Sequence, residues 1–273
     1  RLVLLTALLA PAHAELNAKD FGAVGDGTTD DTLALQRSIA AAADKLPALL
    51  VPAGTDIVSS PPVVACARRE LNVNPVKIRG EGQFVTVIKA SAPAKAVLWF
   101  SATAPSPGVT AVVTNGHEVR DLTFDANDKA DAAVLALAIT RSAFRAVTFS
   151  HGVSYGLSMG FGWINQIEDC RFTGNALTAL RMNNNINSVN VLNSMFENNR
   201  GIGITIDVGY AVRVTGNVFE SLGGPARVAA AGPAGGGGRA ASRGGPDAAR
   251  GARERHLAQA VGGGGGRGRA TAG

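Results

Sequence analysis

Cysteine, histidine and aromatic side chains are all scarce in this sequence, and each shortage removes a class of protein. Two cysteines, Cys66 and Cys170, occur in 273 residues. Two allow one bridge or two buried thiols, but no disulfide framework. Four histidines are present, and His117 and His151 stand at no metal-ligand spacing, so each reads as a turn residue. Aromatic residues make up 5% of the chain while glycine reaches 34 residues. That balance suits many short strands joined by tight turns better than a helical bundle. No stretch approaches the twenty apolar residues of a membrane-spanning helix. The Gly25-Asp26-Gly27 turn lacks the lysine of a phosphate loop.

The formal charge is +5. Much of the excess sits in Arg227, Arg239, Arg243, Arg250, Arg253, Arg255, Arg267 and Arg269, so it says little about the folded part. Residues 223–273 are dominated by Gly, Ala, Arg and Pro and cannot bury a core. They read as a disordered tail: either a basic tether or a misread gene end that truncates the fold, since solenoids need a terminal cap. At the other end, Arg1, the apolar run Leu2–Ala10 and Ala12-His13-Ala14 have the form of a signal peptide over 1–14, cleaved before Glu15. The expected location is extracellular.

Between these ends lies a repeat. Phe124, Phe149, Phe172, Phe196 and Phe219 recur at gaps of 25, 23, 24 and 23. Val119, Phe144, Ile167, Val191 and Val214 precede each by five, and Leu157, Leu180 and Ile204 follow the later ones by eight. Such a period signals a solenoid, and the unit is too short for a helix pair. Stacked coils of short parallel strands put equivalent residues into ladders, Phe on Phe and aliphatic on aliphatic. Leucine-rich repeats share the period but need a Leu ladder with its Asn, which is absent. Asn127, Asn175 and Asn199, three after a Phe, predict left-handed turns whose amides bond up the stack. Asp121, Asp169 and Asn193 mark a second bend, and Arg120, Arg145 and Glu168 an outer charge ladder. Ahead of the repeat, Thr28 and Asp31 resemble a capping box. Leu35, Ile39, Ala42 and Leu46 then form the apolar face of a helix ending near Pro47.

Lys19-Asp20-Phe21-Gly22-Ala23-Val24-Gly25-Asp26-Gly27-Thr28-Thr29-Asp30-Asp31, with Leu35-Gln36 and Ile39, resembles the N-terminal signature of the pectate lyase superfamily. Val51-Pro52-Ala53-Gly54-Thr55 and Ile78-Arg79-Gly80-Glu81-Gly82 resemble its next two turns. The resemblance implies an all-β fold over 15–222, a single-stranded right-handed parallel β-helix whose N-terminal end the helix caps. It also implies an acidic, uronate-containing polysaccharide as partner, handled by a lyase, epimerase or glycosidase, or bound by a non-catalytic module. Neither a membrane nor nucleic acid is the expected partner, and nothing in the sequence requires an oligomer.

The aspartates of polygalacturonase-like hydrolases are missing from Asn198-Asn199-Arg200-Gly201-Ile202 and Thr173-Gly174-Asn175-Ala176-Leu177. The Asp-Pro-His-Glu motif of alginate-type epimerases is also absent. What remains is an outward polar face. Ser158, Arg181 and Thr205 fall nine after their Phe residues, and Asn183 and Asp207 eleven after theirs. Arg181 and Asp207 are therefore the catalytic candidates: an arginine holding a uronate carboxylate, and a carboxylate acting as base or cation ligand. Arg181, Asn183, Ser158, Thr205 and Arg200 are the substrate-binding candidates. The competing reading is a surface ion pair on a solenoid wall. The cofactor is left open: a calcium ion is compatible with such a face, but the sequence shows no complete ligand set for it.

Overall fold

The computed structural model describes residues 15–45, 47–65, 75–101, 113–223 and 228–230. Residues 1–14, Leu46, Cys66 and nearly all of the predicted tail lie outside them. Every strand pairing is parallel. The chain winds into a right-handed β-helix with, among the described residues, one α-helix near its start. Each coil contributes three faces. Face one stacks Leu49, Ile78, Val119, Phe144, Ile167, Val191 and Val214 in register. Face two stacks Asp56, Ile88, Phe124, Phe149, Phe172, Phe196 and Phe219. Face three stacks Leu98, Val134, Leu157, Leu180, Ile204 and Val228. Its last rung, Val228–Ala230 beside Ile204–Ile206, lies past the boundary at 222 read from the sequence.

The predicted ladders are the core. Phe149 and Phe172 stack at 4.9 Å, Phe172 and Phe196 at 4.5 Å, and Phe196 and Phe219 at 4.7 Å, all nearly parallel. Phe124, Phe149, Phe172 and Phe196 are fully buried. Burial of each such side chain stabilises by roughly 1.5–3 kcal/mol.

Corners leave backbone N–H groups that no neighbouring coil can accept, and a polar side-chain ladder serves each corner. Between faces two and three, Asn175 Oδ1 accepts from Gly152 N at 2.9 Å, and Asn199 Oδ1 accepts from Asn175 N at 3.0 Å. Their amide nitrogens donate to Phe149 O and Phe172 O. The expected amide stack is therefore present, but Asn175 and Asn199 are buried and not left-handed. The positive φ falls one residue earlier, at Gly174 and Asn198, and at His151 on the coil before. Asn127 is left-handed and donates instead to Ala90 O. Between faces one and two, Asp121, Ala146, Asp169, Asn193 and Gly216 are all left-handed, as expected of a bend. Between faces three and one, Ser142 Oγ accepts from His117 N, and Asn165 Oδ1 accepts from Ser142 N.

Helix α1 (Thr32–Lys45) closes the N-terminal end. Leu35 and Ile39 line one small interior cavity with Leu49, Ile78 and Ile88. Gln36 donates to Val63 O at 3.1 Å and accepts from Val63 N at 2.7 Å, tying the helix to the first coil. The capping box does not form. Asp26–Asp30 is instead a strand, irregular where the Asp26 carboxylate accepts from Thr28 N and Thr29 N. Those bonds hold its pKa well below the ordinary range. Asp30 accepts from Thr32 N, while Asp31 turns its carboxylate back to Val24 N and Gly25 N.

Candidate functional site

Face three carries the longest strands, Tyr155–Trp163 and Thr178–Asn187, and so the widest outward surface. Ser158, Arg181 and Thr205 are in register on successive coils. Gly160 pairs with Asn183, and Asp207 N donates to Met182 O, which sets Asp207 beside Asn183. The register puts Ser158, Arg181 and Thr205 in one column, as the spacing implied, but not all of it faces outward: Arg181 and Thr205 are half-buried and Ser158 is buried.

Arg181 is the centre of it. Its Nε and Nη2 donate to Asp207 Oδ2 at 3.4 and 3.3 Å. Its Nη1 donates to Tyr155 Oη at 3.0 Å, and the guanidinium lies 5.0 Å from the Tyr155 ring centre. With the Asn183 amide nitrogen donating to Met159 O at 2.8 Å, the amide oxygen accepts from Arg181 Nη2 at 3.2 Å. Arg181 and Asp207 are 33% and 46% exposed, so water screens their pairing to at most about 1 kcal/mol. Such a pair opens readily for a better-matched anion. Both Arg181 bonds go to Asp207 Oδ2, which leaves Oδ1 without a hydrogen-bond partner among the described residues.

Other candidates stand further off. Ser158 is 5% exposed and sits beneath the polar surface. Thr205 is half-buried beside Arg181. Arg200 lies at the preceding corner, 3.9 Å from Asp128, and makes no hydrogen bond to Asp207. Gly160 is buried and closely packed: a Cβ there would stand 2.9 Å from the Asn183 amide and from Leu137. Sequence reasoning missed Tyr155. Thr178 and Ile202 occupy its place on the next two coils, so the column carries no aromatic signal. Only the fold brings the Tyr155 ring against Arg181.

A calcium role for Asp207 does not fit. Among the described residues no group of three His, Cys, Asp or Glu is placed to hold a metal. One carboxylate, already paired to an arginine, falls far short of the six to eight oxygens calcium takes.

Residues 16–224 match the family described as rhamnogalacturonase A/epimerase, pectate lyase-like. The chain belongs to that family. Among solved structures it is similar to the A-module of the Azotobacter vinelandii mannuronan C-5 epimerase AlgE4, at 21% identity and TM-score 0.62, over 77% of this chain and 58% of that one. It is similar to an N-terminal fragment of bacteriophage phi29 gene product 12, at 18% identity and TM-score 0.58, over 72% and 36%. PfbA, a surface adhesin of Streptococcus pneumoniae, gives 17% identity and TM-score 0.54, over 76% and 63%. A comparison with curated proteins returns no match. The chain thus spans about three fifths of the epimerase module, and at these identities the likeness shows the β-helix alone.

Within this family member, His117 and His151 take different roles. His117 is buried, its Nδ1 accepts from Val76 N at 3.1 Å, and burial lowers its pKa to about 4. It is a neutral corner residue. His151 is left-handed at its corner, as a turn residue should be, but its Nδ1 also meets Asp125 Oδ1 at 2.9 Å. That hydrogen bond raises the His151 pKa. Cys170 is a buried free thiol, and burial pushes its pKa up to about 12. Among the described residues no helix is long and apolar enough to cross a membrane.

Proposed function

We propose that this protein modifies a uronate-containing polysaccharide on face three, outside the cell, by taking the proton from C5 of a uronate. The single observation behind this reading is Arg181, an outward guanidinium shared by Asp207, Tyr155 and Asn183. A substrate carboxylate displaces Asp207 from Arg181, and the guanidinium neutralises it. Neutralising that carboxylate makes the C5 proton more acidic and stabilises the enolate-like intermediate. The freed Asp207 accepts the C5 proton. The Tyr155 hydroxyl, held against Arg181, donates on the other side. If its proton goes to O4 as the C4–O4 bond breaks, an unsaturated end results; if it goes back to C5 from the opposite face, the product is the epimer. Export rests on the form of residues 1–14, and the polymeric, acidic substrate on family membership.

The full chain should be assayed on polygalacturonate and on alginate. Absorbance reads new unsaturated ends, a reducing-end assay reads hydrolysis, and proton NMR reads inversion at C5. Arg181→Ala is expected to lower kcat/KM by about 10²–10³-fold, the usual cost of removing one preorganised charge. Reducing ends without unsaturation would overturn the C5 mechanism. Binding of either polymer with no turnover would move the reading to a glycan-binding module. The single carboxylate on Arg181 among the described residues is the observation that favours that second reading.

A further inference from the structure

We infer that the far end of face three holds a second subsite, an aromatic and amide platform that stacks pyranose rings of the bound polymer. Its parts are Phe161, Trp163 and Tyr210, with Asn184, Asn185 and Asn187 among them. It rests on the polysaccharide substrate proposed above, but not on the C5 chemistry.

The platform originates in a break of register. Gly160 pairs with Asn183, yet Gly162 pairs with Ile186, so Phe161 stands opposite both Asn184 and Asn185. All three of these residues have left-handed backbones, with φ of 50°, 54° and 66°. Asparagine accepts that conformation easily; a phenylalanine in it is an outlier held by its surroundings. Gly162 explains the hold. A Cβ there would stand 2.2 Å from Ile139 O, so this backbone lies tight against the preceding coil. The residues on either side are turned outward. Phe161 is 37% exposed, and its ring meets Trp163 edge to face at 5.6 Å.

The next coils extend the surface along the axis. Trp163 pairs with Asn187, and Asn187 with Tyr210, which is 49% exposed. Trp163 and Tyr210 are thus two coil rises apart, about 10 Å at the spacing of hydrogen-bonded strands. That is the length scale of a disaccharide. Flat rings with negative faces suit the apolar C–H faces of pyranoses, and the interleaved amides supply donors and acceptors for hydroxyls. Asn187 Oδ1 accepts from Ser188 Oγ at 3.0 Å, but a purely apolar partner would leave the exposed Asn184 and Asn185 amides and the Asn187 amide nitrogen unserved. Phe161 lies three residues from Ser158, roughly 10 Å along the strand. An oligosaccharide of a few units therefore reaches from this platform to Arg181.

The sequence contains two tryptophans, which makes the test direct. Hexamers of galacturonate and of mannuronate are titrated into the full chain while tryptophan fluorescence is followed. Trp99→Phe should keep the ligand-induced change and Trp163→Phe should lose it. Phe161→Ala and Tyr210→Ala should each weaken binding by about tenfold, with circular dichroism matching the parent. Arg181→Ala should lose turnover yet retain the Trp163 signal, so failure of the C5 mechanism leaves the platform standing. A change that survives Trp163→Phe, or unaltered affinity in both folded alanine variants, would overturn the proposal.

Discussion

Phe172→Ala should cost about 3–5 kcal/mol of folding stability, the range for truncating a fully buried phenylalanine. Phe172 sits between Phe149 and Phe196 at 4.9 and 4.5 Å, and no part of it reaches solvent. Alanine leaves a cavity between two rings that cannot collapse onto each other, because the strand spacing is fixed by the parallel hydrogen bonds above and below. A solenoid is nearly one-dimensional, so each coil is held only by its neighbours and a weakened rung loosens the coupling across it. Phe219→Ala is the internal comparison. Phe219 is only partly buried and stacks on Phe196 at 4.7 Å, so it should lose markedly less. Denaturant titration of both variants measures this; equal losses at the two positions would contradict the ladder account.

Stability should also fall as pH rises through the weakly acidic range, and Asp56→Asn should remove much of that slope. Asp56 occupies the rung of the inward face-two ladder that isoleucine and phenylalanine occupy on later coils. Burial raises its pKa, and the neighbouring Asp31 carboxyl, to which it hydrogen-bonds, raises it further, to about 7. In the unfolded chain the same carboxyl ionises near its ordinary value of 3.8. The folded state therefore binds the extra proton between these values, and the contribution of Asp56 to stability is full below about pH 4 and is lost as pH climbs to about 7. Three pK units at 1.36 kcal/mol each set an upper size of about 4 kcal/mol. Asparagine keeps a donor for Asp31 and cannot ionise. Denaturation midpoints at about pH 4 and pH 8 should differ much less in Asp56→Asn than in the parent; an unchanged difference would place the slope on other groups.

The repeat by itself determined the ladders. A period near 24 residues leaves room for one coil, and equal positions in equal coils must stack. The Phe stack and the Ser158–Arg181–Thr205 column were therefore legible from spacing alone, and the Asn175–Asn199 amide stack followed for the same reason. Departures occurred wherever a contact depends on two unequal positions. Tyr155 meets Arg181 across a coil and off its own column. Asp26 bonds Thr28 and Thr29 in place of the capping box that the spacing of Thr28 and Asp31 suggested. Phe161 turns outward because one strand inserts a residue against its neighbour. Asp56 enters the Phe ladder from a coil that precedes the aromatic repeat. Periodicity reports which residues stack; which side chains then cross from one column to another is decided by strand offsets and corner geometry, and these exist only once the coil has closed.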